Sequence, residues 1–285
     1  MKWRGQRESS NVEIGGGRTG GGLKMGIGGI IVVVVLGLIM GKNPMEMLGQ
    51  VAQMESAAPA ADSPADPNAP VTEEQQFSKV VLASTEDVWG RIFEASKQQY
   101  PAPTMVLFSG SVQSACGGAT SASGPFYCPG DRKVYLDTRF FEEMKTKLGG
   151  GGDFAQAYVI AHEVGHHIQT ITGVSDKVNQ VRAKGGNVEG DGGLLVRQEL
   201  QADCYAGLWA HYAQQEKQWM EPGDLEEAVS TAQAIGDDTL QRQSQGTVVP
   251  DAFSHGSAEQ RMAWFSRGFE TGDIGQCDTF NAARL

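Results

Sequence analysis

The chain has 285 residues, with 23 basic and 34 acidic side chains, a formal net charge of -11, and 40% hydrophobic against 20% charged residues. That composition supports one or two folded domains and excludes a chain disordered throughout. Residues 1–42 carry six of the basic groups against only Glu8 and Glu13, which leaves the remainder near -15; a domain that acidic repels a phosphate backbone, and nucleic-acid binding is set aside.

Residues 1–24 read as a basic, Gly-rich arm. Between Lys24 and Lys42 lie 17 uncharged residues, and a helix needs about 17 to 25 to cross a bilayer core. A buried core helix is a poor rival, because a polar arm and a Pro/Ala linker flank the run. A cleavable signal peptide is the other rival, but Gly41-Lys42-Asn43-Pro44 follows in place of a small-residue cleavage site. The expectation is a transmembrane signal anchor over 25–41. The positive-inside rule then leaves the arm in the cytoplasm and sends the rest to the periplasm or the cell exterior. Residues 42–70, including SAAPAADSPADPNAP, read as a Pro/Ala-rich tether, and 71–285 as the folded domain.

Cys116, Cys128, Cys204 and Cys277 all fall on the expected exported side, where two disulfides can form. Of the three pairings, Cys116 with Cys128 and Cys204 with Cys277 is favoured, since the first pair would staple a hairpin around a Gly/Ser-rich turn. Helical patterning covers 73–96, 138–148, 153–172, 194–215, 225–235 and 258–269, and strand-like runs cover 104–113, 126–128 and 133–136. The class is α+β, mostly helical with a small antiparallel sheet.

The most informative residues are His162-Glu163-Val164-Gly165-His166. On a helix, positions i and i+4 share a face, so both imidazoles reach one metal ion, while Glu163 stands about 100° round and can take a proton from water beside it. A catalytic zinc site usually has three protein ligands and one open position. The extended metzincin pattern fails, because Gln169 and Thr172 stand where it requires Gly and His. His167 reads as solvent-facing or as a support for the ligands.

The third ligand is sought in Glu199-Leu200-Gln201-Ala202-Asp203. Two carboxylates at i and i+4 repel unless a cation is near. Glu199 is assigned as the ligand and Asp203 as the acceptor that orients a ligand histidine. Ala202, Ala206 and Ala210 let this helix approach the one bearing Gly165. The runs HEVGHH, ELQADCYAG, GPFYCPGDRKVYLD and SHGSAEQR, in their chain order, closely resemble the bacterial neutral zinc metallopeptidases, a group of membrane-anchored proteins. More broadly, HExxH with a downstream ExxxD looks like the gluzincin layout. The resemblance implies a zincin-like fold, one Zn2+ per chain on His162, His166 and Glu199, Glu163 as general base, and a peptide substrate.

His255, Arg261 and Tyr205 are candidate donors to the oxyanion, with His255 carried forward as catalytic. The run 133–136 could pair with an extended peptide at a sheet edge. The competing readings are a zinc amidase acting on cell-wall peptide and a non-catalytic scaffold stabilised by zinc.

Overall fold

The computed structural model describes residues 1–15, 70–120, 123–141 and 152–285. The expected anchor 25–41, the tether up to 69, and most of the expected helix 138–148 lie outside the described residues. Helix α1 spans Glu73–Ala95. Thr72 and Gln75 exchange side-chain and backbone hydrogen bonds at its start, and Glu73 and Glu74 complement the helix dipole. The strands are β1 Val12–Ile14, β2 Thr104–Phe108, β3 Ser111–Ser114, β4 Gly117–Thr120, β5 Phe126–Cys128 and β6 Lys133–Asp137. The helices that follow are α2 Asp153–Ile171, α3 Val174–Ala183, α4 Leu194–Lys217, α5 Asp224–Ala234, α6 Asp237–Gln245 and α7 Ala258–Thr271.

The α+β class holds, but the main sheet is mixed. Its order is β1-β2-β6-β5, with β1, β2 and β6 parallel and β5 antiparallel to β6, while β3 and β4 form a separate antiparallel hairpin. The expected edge strand β6 is internal; β1 and β5 are the edges. Strands β2 and β6 are buried along nearly their whole length, which is why they read as unbroken apolar runs. A disulfide joins Cys116, in the β3–β4 turn, to Cys128 of β5, and another joins Cys204 of α4 to Cys277 beyond α7.

Helix α4 is the centre of the helical layer and is buried almost all round, as expected of a helix flanked on both sides. It crosses α2 where Gly165 meets Ala202. It crosses α7 where a Cβ on Gly207 or Gly268 would collide with the carbonyls of Phe265 and Cys204. Trp209 stacks on Phe154 and meets Trp219 edge-on, and Tyr158 meets Phe265 edge-on, filling the space between α2, α4 and α7.

The N-terminal residues belong to this body. Trp3 is buried edge-on against Phe77 and donates from Nε1 to Asp153 at 3.0 Å. Asp153 therefore serves Trp3 and does not cap α2, whose N-cap is Gly152. The Lys2 amide donates to the Trp219 carbonyl at 2.8 Å. Arg4 pairs with Glu73, and Arg7 with Glu86 and Asp87. Strand β1 pairs with Met105, Val106 and Leu107 of β2.

This corrects the expected single-pass membrane topology. Two of the basic residues that suggest a cytoplasmic charge bias, Arg4 and Arg7, are partners of α1 carboxylates, and residues 1–15, packed on the helical body, cannot lie across a bilayer from it. Among the described residues no helix is long and apolar enough to cross a membrane. The expected transmembrane topology, with the N-terminus in the cytoplasm and the domain exported, does not hold.

Candidate metal centre

Helix α2 presents His162, Glu163 and His166, and α4 presents Glu199 and Asp203. The close crossing at Gly165 brings the two faces together. His162 Nε2 faces Glu199 Oε2 at 3.2 Å, and His166 Nε2 faces Glu199 Oε1 at 3.5 Å. One donor atom from each of the three lies within 4.8 Å of the others. The two rings are 4.8 Å apart and nearly perpendicular, at 89°. His162 and Glu163 are buried, and His166 and Glu199 are partly so.

Each histidine is held at its other nitrogen. His162 Nδ1 donates to Asp203 Oδ1 at 2.8 Å, and His166 Nδ1 donates to Gln169 Oε1 at 2.9 Å. Both Nε2 atoms are thereby turned to Glu199. Asp203 is gripped in turn by Arg261, Nε to Oδ2 at 2.9 Å and Nη2 to Oδ1 at 3.0 Å, and accepts from the Tyr158 hydroxyl at 2.6 Å.

The electrostatics follow from burial and these partners. Burial opposes charge on His162, but Asp203 and Glu199 outweigh it and raise its pKa to about 10. Burial also opposes charge on His166, and Glu199 raises it. For Asp203, Arg261 and His162 overcome burial and hold the carboxyl at about 2. Glu199 is held well below the ordinary range, against its burial, by His166 and His162. Glu163 goes the other way: burial pushes it up, against the pull of the two histidines and of the Tyr127 amide that donates to it. Two imidazole nitrogens and one carboxylate oxygen converging within 4.8 Å are the nitrogen and oxygen donors that zinc prefers, so the residues present fit the ion.

Residues 1–280 match the sequence profile of a family described as "Putative neutral zinc metallopeptidase". The chain belongs to this family. It is 47% identical over 288 aligned residues to the "Uncharacterized protein YpfJ" of Escherichia coli strain K12, covering 98% of this chain and 99% of that one. It is also 47% identical over 196 residues to the "Uncharacterized protein Rv2575" of Mycobacterium tuberculosis strain H37Rv, 65% of each chain. No solved structure matches it. The neutral zinc metallopeptidase profile begins at residue 1, so the family pattern includes the N-terminal strap packed on β2 and α1.

The remaining sequence candidates fall differently. His255 is half-exposed, with Nδ1 3.1 Å from Asp237 Oδ1, and lies near enough to Glu199 for their charges to interact. The other Asp237 oxygen accepts the main-chain amides of Ser254, His255 and Gly256 at 2.7, 2.7 and 3.1 Å, fixing this loop. Arg261 is buried with its donors committed to Asp203, Tyr158 and the Ile235 carbonyl, so it is not an oxyanion donor. Tyr205 packs edge-on against Trp89 in the core. His167 is not solvent-facing: it is 1% exposed, with Nε2 donating to the Pro101 carbonyl at 2.6 Å and Nδ1 accepting from the Tyr127 hydroxyl at 3.1 Å. Gln169, Tyr158 and Asp237 escaped the sequence reading. Tyr158, four residues before His162, and Gln169, three after His166, share the histidines' helix face, and that spacing was the available signal.

Proposed function

We propose that this chain is a zinc-dependent endopeptidase, with one zinc ion per chain held by His162, His166 and Glu199 and with Glu163 as general base. The observation that carries the reading is the convergence of those three donors with a buried carboxyl, raised by its burial, beside them. A zinc ion in such a site supplies Lewis acidity, lowering the pKa of water toward about 7 and polarising a carbonyl.

The chain's own residues do the rest. Asp203 and Gln169 hold the imidazoles in the tautomer that turns Nε2 inward. Glu163 takes a proton from the attacking water and passes it to the leaving amine; its raised pKa suits it to both transfers. His255, with Nδ1 committed to Asp237, offers Nε2 to the oxyanion.

The test compares variants of the full chain. Glu163→Gln is expected to retain zinc and lose hydrolysis of an unfolded protein substrate, while Glu199→Ala loses zinc. A zinc-loaded wild-type chain that cleaves no amide in a broad peptide library would overturn the enzymatic reading in favour of a zinc-stabilised scaffold.

A further inference from the structure

The two histidines are supported unequally. His162 leans on a carboxylate, Asp203, whereas His166 leans on a neutral amide, Gln169. An amide has two unlike ends, so something must fix which end faces the ring. Gln169 Nε2 donates to the Gln198 carbonyl at 2.6 Å and to Gln201 Oε1 at 3.1 Å, which leaves Oε1 for His166. Gln201 is fixed the same way, because its Nε2 donates to the Cys277 carbonyl at 3.1 Å. Both glutamines are buried, and turning either amide over sets like groups against each other. The end of this relay is itself anchored: Cys277 is bonded to Cys204, and Arg197 grips the carbonyls of Thr279, Phe280 and Ala282 just beyond it. Buried amides cost more desolvation than apolar side chains of their size, so packing alone does not account for two of them between α2 and α4.

We propose that Gln169 is a positioning residue for His166: through Gln201 and the Cys277 carbonyl it fixes the imidazole with Nε2 toward the metal. This inference rests on the ligand set proposed above.

The test is the zinc affinity of the full chain, measured by competition with a chromophoric chelator, with thermal unfolding of the zinc-free protein followed alongside. Gln169→Leu is expected to weaken zinc binding about 10- to 100-fold. Gln169→Glu keeps an acceptor for the Nδ1 hydrogen and, buried with its second oxygen against the Gln198 carbonyl and Gln201 Oε1, is expected to stay protonated there and donate as the amide does. It should restore affinity toward wild type, a rescue that a purely structural glutamine would not produce. If Gln169→Leu does not fold, Gln201→Leu takes its place, with a smaller loss expected because the Gln198 carbonyl still holds Gln169. Wild-type affinity in the leucine variant, or equal weakness in Gln169→Glu and Gln169→Leu, overturns the proposal. Glu199→Ala separates the two levels. If it too leaves affinity unchanged, the ligand set is wrong; if it loses zinc while Gln169→Leu keeps it, the ligand set stands and the positioning role falls.

Discussion

Arg261 and Asp203 meet fork to fork in the protein interior, 3% and 0% exposed, and the Asp203 carboxylate they share also holds His162. Removing one partner of such a pair strands the other charge. Arg261→Met is expected to destabilise the metal-free chain by about 3–5 kcal/mol, measured by urea unfolding. It should also weaken zinc retention, because Asp203 loses the partner that keeps it ionised. The double variant Arg261→Met with Asp203→Leu should cost less than the sum of the two single changes.

The crossing of α2 on α4 gives a second prediction. A Cβ at Gly165 would stand 3.0 Å from Ala202 Cα and 3.1 Å from its carbonyl oxygen. Gly165→Ala should therefore cost about 1–3 kcal/mol through overpacking, outweighing the gain of about 1 kcal/mol in helix propensity. Gly268→Ala, whose new Cβ would collide with the Cys204 carbonyl, should cost more. Chemical denaturation of the two variants checks the order.

Trp3 tests whether the first residues are integral. It is 2% exposed and hydrogen-bonded to the first residue of α2. Trp3→Ala is expected to cost about 3–5 kcal/mol. A chain beginning at residue 71 should be markedly less stable than the full chain by the same measurement.

His167 supplies a pH dependence. Burial lowers its pKa from 6.5 to about 4, although the Pro101 carbonyl pulls the other way. The unfolded chain binds the proton first as pH falls, so stability is intact above about 6.5 and is lost between there and about 4. The loss from this group is at most about 3 kcal/mol. Unfolding of zinc-free protein across that window should be steeper in wild type than in His167→Gln.

What could be read from the chain and what could not divide along physical lines. The spacing of His162 and His166, and of Glu199 and Asp203, is local helical geometry, and the four side chains do converge. The boundaries of α2, α4 and α7 follow from periodicity and, at Ser257, a capping box. Arg261 carried no mark of its burial, because a charged residue on an amphipathic helix ordinarily faces water. The splay of His167 from His166 leaves open whether it faces solvent or supports the ligands; strand β5 covers that face through Tyr127, a partner that no local spacing marks. Strand β1 has three residues, and its partner lies some ninety positions on, so no local pattern marks it. Helix α6 carries a single large apolar residue, Leu240, too few to mark a core-facing stripe.

The strap also sets an order of assembly. Residues 2 and 3 and strand β1 are synthesised well before the Trp219 carbonyl, the Asp153 carboxylate and the β2 backbone that receive them. The strap must wait for the chain through residue 219 before it can dock fully, a long-range closure of the kind that slows folding and leaves a sheet edge uncovered meanwhile.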